Sequence, residues 1–224
     1  MKWLFFPVII ILLFLGCSSE KEDYKTLVEI TDTGYRISDL AFLDFLEEFD
    51  IDTSEVYQWE NHRLLLLNPK KVEAMKLQLD EKFPGAVVKI FSKPFYVFDS
   101  KNCSGAVQSD QNHNYIFTAN LVADTVKQRE YMEYHARQSV DWPAVAQGFC
   151  NAGFQQLLVY RTSRQLILII RIPADKTLDE LNPKTVENNP EMVEWNRMMA
   201  AYQEGIEQAP DGVVWVQYRK YASK

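Results

Sequence analysis

The sequence predicts an α+β fold of two tandem ferredoxin-like (βαββαβ) units, their antiparallel sheets packed face to face as an α+β barrel within one chain. Three observations lead there. A stretch rich in Ser, Asn, Gln and Gly, residues 100–113, divides the chain. The same order of strand, helix, strand, strand, helix and strand can be read on either side of it. A sheet covered by helices on one face leaves a second face in need of a partner, and the other sheet provides one. Such a fused pseudo-dimer is expected to be a monomer in solution; the alternative is barrels made by pairing between chains.

In the first unit, residues 24–99, KTLVEIT reads as a strand. Ser38 then caps a helix with Phe42, Phe45, Leu46 and Phe49 at helical spacing. SEVYQWE and HRLLLLN are two strands around a Glu60-Asn61 turn. Pro69 opens a helix bearing Val72, Met75, Leu79 and Phe83, Gly85 stops it, and AVVKIF begins the last strand.

The second unit, residues 114–224, repeats the order. YIFTANLV alternates Tyr115, Phe117, Ala119 and Leu121 on one face, and a helical region from about Thr125 to Ala152 follows, divided by Pro143. FQQLLVYR and RQLILIIRIP are strands around a Thr162-Ser163 turn. Asn189 and Pro190 stand at cap and first-helical positions of a helix carrying Met192, Trp195, Met199 and Tyr202, and VVWVQYRKY closes the sheet.

Residues 1–16 read as a lipoprotein-type signal peptide. One Lys precedes an unbroken apolar run from Trp3 to Leu15, then Gly16 and Cys17. A small residue before a Cys that ends such a run resembles a bacterial lipobox, although Phe14 and Leu15 depart from it; Cys17 is then lipidated and residues 17–23 form a polar tether. The alternative is an uncleaved anchor, for which the run is short. Both readings place the chain at a membrane in the cell envelope. The net charge of −7 argues against nucleic acid as a partner. His62, His113 and His135 are scattered and there is no CxxC or HExxH, so no metal site is expected. Cys103 and Cys150 carry no framework spacing, and Cys150 falls in an apolar helix pattern, so they are expected to stay unpaired, with pairing the alternative.

The residues with chemistry to offer lie in YMEYHARQSVDWP, from Tyr131 to Pro143. His135 follows Tyr131 by one helical turn, so the two share a face. An imidazole can give or take a proton near neutral pH, and a phenol beside it can orient a hydroxyl-rich ligand. The plain alternative is that both simply cover the sheet. Trp195, striped with Met192 and Met199, reads as core.

Taken together, Tyr131-x-x-x-His135, Trp142-Pro143 shortly after, Gly153 ahead of VYR, RQLILIIRI, NPEMVEWNRMMAAYQ and the final WVQY form a recognisable series. In this order they resemble the L-rhamnose mutarotase family over about residues 114–222. The resemblance implies a cofactor-independent isomerase that interconverts the α and β anomers of a 6-deoxy monosaccharide. It puts the proton-donating general acid on His135 and a sugar-binding tyrosine on Tyr131. A pair of sugar-binding tryptophans falls on Trp195 and Asn196, another binding tyrosine falls on Leu157, and the Trp-Pro pair follows the histidine at a longer spacing than usual. The first unit, with no histidine in its helices, reads as a degenerate copy that supplies the partner sheet and can supply part of the pocket wall. Two other readings stay open: a non-catalytic sugar or small-ligand binding lipoprotein on the same scaffold, and a haem or oxygenase protein of the same barrel class.

Overall fold

The computed structural model describes residues 24–34, 37–105 and 107–222; the leader, Cys17 and the rest of the tether lie outside them. The chain runs β1 (Thr26–Thr31), α1 (Asp39–Glu48), β2 (Val56–Trp59), β3 (His62–Leu67), α2 (Pro69–Lys82), β4 (Val87–Phe91) and β5 (Pro94–Asp99). It continues with β6 (Asn112–Leu121), α3 (Thr125–Asp141), α4 (Pro143–Ala152), β7 (Gln156–Thr162), β8 (Gln165–Pro173), α5 (Leu178–Leu181), α6 (Pro190–Ala200), β9 (Gln203–Glu204) and β10 (Val216–Lys220). The helix starts follow from local chemistry. Ser38, Asn68, Asp124 and Asn189 each accept a hydrogen bond from an amide of the first turn, satisfying a donor with no intrahelical partner.

All strand pairings are antiparallel, in the order β4-β1-β3-β2-β10-β6-β8-β7-β5, with β9 alongside β6. Strands β1–β4 thus follow the same spatial order as β6, β7, β8 and β10. The two ends of the sheet, β4 and β5, are consecutive in the chain, joined at Ser92-Lys93, and β4 also lies near β7. The sheet therefore curls into a nearly closed barrel with helices outside.

Inside the barrel, Leu27, Tyr57, Leu64, Leu66 and Phe91 meet Ile116, Leu158, Tyr160, Ile167, Ile169 and Tyr218 from the other half. Each fully buried side chain of this kind contributes roughly 1.5–3 kcal/mol of transfer free energy. A polar hub crosses the same interior. Glu29, wholly buried, accepts hydrogen bonds from His62 Nδ1 (3.1 Å), Gln165 Nε2 (3.0 Å) and the Tyr218 hydroxyl. Burial alone would raise the Glu29 carboxyl; the His62 bond and charge, the Tyr218 hydroxyl and the Lys89 charge outweigh it and hold the group below its ordinary value.

Two expectations change. AVVKIF does not run on as one last strand: the chain bends after Phe91, and PFYVFD crosses to the other half as β5, paired with β7. Pro94, which has no amide hydrogen to give a ladder, marks the break, and the register shifts between Pro94 and Tyr96. The cysteines, expected to stay apart, form a disulfide. Cys103, in the stretch before β6, meets Cys150 of α4 at a Cα–Cα distance of 5.8 Å, a proximity that a separation of 47 residues conceals.

Candidate functional site

The site lies on the helix-covered face of the second half. Helix α3 is anchored by Asp124, whose carboxylate accepts from the amides of Val126 (2.8 Å) and Lys127 (3.2 Å). Its inward face carries Gln128, Tyr131, His135 and Gln138, one residue every three or four. Pro143 ends the run and starts α4, leaving Trp142 at the joint, tilted against Trp195 with ring centroids 5.8 Å apart. Helix α6 turns Met192, Trp195 and Met199 inward, and its cap Asn189 also donates to the Ala144 carbonyl (2.7 Å), tying α6 to α4.

Between these helices and strands β7 and β8 is a cavity of about 400 Å³. Leu157, Val159, Leu168 and Ile170 form its sheet wall, and Val145, Phe149 and Met192 its apolar helix side. The polar groups converging on it are Tyr96, Tyr131, His135, Asn182, Asn196 and Gln203. A mostly apolar hollow of this volume with a few converging polar groups is the usual form of a small-ligand site.

His135 is encircled by aromatic rings, with centroid distances of 4.2 Å to Tyr131, 5.2 Å to Tyr96, 5.2 Å to Trp195 and 5.6 Å to Phe95. Its Nδ1 lies 2.9 Å from the Tyr131 carbonyl oxygen, which can only accept, so Nδ1 carries the proton. Nε2, with no partner among the described residues, is the nitrogen left for the cavity. Burial lowers the imidazole pKa to about 4, with the carbonyl bond acting weakly the other way, so His135 is neutral at pH 7.

Tyr131 is held from the other side. The Trp215 indole N–H donates to Gln203 Oε1 (3.0 Å), and because indole can only donate, this sets the orientation of the Gln203 amide. Its Nε2 then donates to the Tyr131 hydroxyl (3.2 Å), leaving the phenolic hydrogen free for a ligand. Burial raises the Tyr131 phenol, while the Gln203 bond and the Arg161 charge act in the opposite direction.

Residues 114–221 match the family model for L-rhamnose mutarotase. The match points to sugar mutarotase activity, an isomerisation. No curated protein matches the chain. Of the residues singled out from the sequence, Tyr131, His135, Trp195 and Asn196 come together around one cavity, all within the L-rhamnose mutarotase match. Asn196 is exposed at the rim, Leu157 lies buried in the sheet wall, and Cys17 is outside the described residues. Sequence reasoning missed four contributors. Gln203 and Trp215 stood in the quoted AAYQ and WVQY segments, but nothing local indicated that they bond each other. Phe95 and Tyr96 come from β5, outside the mutarotase match, and only the alternation of PFYVFD could have suggested a strand there. His62 lies elsewhere, in the Glu29 hub.

Proposed function

We propose that the protein is a cofactor-independent mutarotase for L-rhamnose or a related 6-deoxy sugar, with His135 as its proton-transfer residue. The observation that carries this is the arrangement of His135: its ring lines the cavity and its Nδ1 is committed to the Tyr131 carbonyl, which leaves Nε2 as the nitrogen without a partner among the described residues.

In the opening half-reaction, Nε2 takes the proton of the anomeric hydroxyl. The C1–O5 bond breaks with its electron pair going to O5, and the Tyr131 phenol delivers a proton there. Burial disfavours the transient phenolate, and the Gln203 amide and the Arg161 charge offset part of that cost. Rotation about C1–C2 turns the other face of the aldehyde to O5. On closing, the O5 proton returns to Tyr131, and His135, now imidazolium, gives its proton to O1 as the general acid. Every proton is restored, so no redox partner is consumed. Trp195 offers a stacking surface for the apolar face of the ring. Because spontaneous ring opening already proceeds in water, only modest stabilisation is required.

Magnetisation-exchange NMR with a panel of 6-deoxy and common hexoses tests the reading. Wild type is expected to accelerate exchange for at least one sugar, and His135→Ala to lose about a hundredfold or more of that rate. If the variant exchanges as fast as wild type, the assignment is lost. A wild type that binds sugar without exchanging it supports the second reading, a non-catalytic binding protein, which is favoured by Leu157 and Asn196 standing where the resemblance calls for a tyrosine and a tryptophan.

The chain is further read as two tandem ferredoxin-like units forming a monomeric pseudo-dimer. The repeated strand order and an interior filled from both halves support this, and a dimer mass by light scattering would contradict it. Anchoring in the cell envelope through lipidated Cys17 is supported by the Cys103–Cys150 disulfide, a bond that persists in oxidising compartments. Palmitate labelling that survives Cys17→Ala would remove that reading.

A further inference from the structure

We infer that Tyr96, brought in from the other half of the chain, hydrogen-bonds a hydroxyl of the bound sugar, so the site is complete only when both halves are present. The nature of the ligand rests on the mutarotase reading; the role of Tyr96 rests on its geometry. The irregularity between Pro94 and Tyr96 sets Tyr96 opposite Val159, a wall residue of the cavity. Its ring stands nearly perpendicular to His135, at 83° and 5.2 Å. Phe95 beside it packs on both Tyr131 (6.2 Å) and His135 (5.6 Å), which fixes this part of β5 against α3.

Tyrosines taken out of water normally find a hydrogen-bond partner. Tyr160 donates to the Lys25 carbonyl (2.9 Å), Tyr218 to Glu29, and Tyr131 accepts from Gln203. Tyr96 is half-buried where it lines the cavity, and its hydroxyl has no protein partner among the described residues; burial keeps the phenol protonated. A hydroxyl-bearing ligand in the cavity would satisfy it as both donor and acceptor. Proton transfer is a different matter: unlike Tyr131, Tyr96 has neither an amide donor nor a nearby cation to hold a phenolate. Its contribution therefore belongs to binding and to the choice of sugar.

Tyr96→Phe in the full chain, followed by anomer exchange on L-rhamnose and its monodeoxy analogues, tests this. Loss of one neutral hydrogen bond is expected to raise KM about five- to tenfold, with kcat within about twofold. The thermal midpoint stays unchanged because the hydroxyl bonds nothing in the protein. One deoxy analogue, lacking the hydroxyl that Tyr96 contacts, is handled equally by variant and wild type. An unchanged KM, or a fall in kcat at constant KM, overturns the assignment. If wild type accelerates no anomer exchange, the mutarotase reading fails by itself, and ligand-detected NMR of L-rhamnose binding decides the role of Tyr96. Weaker binding by Tyr96→Phe sustains the inference; equal binding, or none by wild type, overturns it.

Discussion

The two halves use the space between sheet and helices in opposite ways. In the first half it is filled with rings. Phe45 meets Phe83 edge-on at 4.7 Å, Phe42 meets Tyr221 at 5.4 Å, and the Arg63 guanidinium lies 4.8 Å from the Phe42 ring. In the second half, rings line the space instead of closing it, and five of them bear polar atoms: Tyr131, His135, Trp195, Trp215 and, from β5, Tyr96. The difference is not one of strand order, which both halves share. It lies in which side chains α1 and α2 present, all-carbon rings and aliphatic groups, and which α3 and α6 present. A scaffold that can seal its helix face becomes a site when the sealing residues are exchanged for rings with hydrogen-bonding tips.

The largest effect that would sharpen this contrast comes from emptying the solid half. Phe45 is 2% exposed, and Phe45→Ala is expected to cost about 3–5 kcal/mol in denaturant unfolding. Anomer exchange per folded molecule should remain at the wild-type rate; a specific loss of rate at full folding would mean that the halves do not divide their roles this way. The smaller effect concerns the open half and appears with pH. His135 is lowered from 6.5 to about 4 in the folded chain, so the unfolded chain binds the extra proton first. Its stabilising contribution is complete above about pH 6.5 and is lost as pH falls through about 4. Chemical unfolding from pH 7 to 4 should show this decline, and His135→Leu should flatten it. With the neutral imidazole as the reactive form, as proposed above, kcat/KM should stay level from pH 7 to 5 and fall near pH 4. A fall in kcat/KM centred near 6.5, or a stability that His135→Leu leaves equally pH-dependent, would mean that the ring is not held dry.

Much of this organisation was written in short-range patterns. Caps at Ser38, Asn68, Asp124 and Asn189, the helical stripe of Met192, Trp195 and Met199, and the one-turn spacing of Tyr131 and His135 are local features, and local sequence expresses them directly. What escaped was whatever depends on distant partners. The crossing of β5 is decided by its pairing with β7, some sixty residues away, and the Lys93-Pro94 break looks like any other interruption. The disulfide joins a loop to a helix that share no spacing signature. The polarity of the Gln203 amide is set by Trp215 across a loop. The site's cast was therefore mostly legible in the second half, while the member supplied by the first half was not.

The crossing of β5 has a consequence for anyone wishing to shorten the protein. Trimmed to the segment that matches the mutarotase family, the chain would retain His135 but leave β7 with a bare row of amides and carbonyls along its outer edge. Beside that edge, the barrel-facing surface of Ile116, Leu158, Tyr160 and Ile169 would meet water. An open strand next to an uncovered apolar face is a template for recruiting another chain. The fragment should be sticky, self-associating and short-lived in solution, and the first half serves the second as a tethered chaperone.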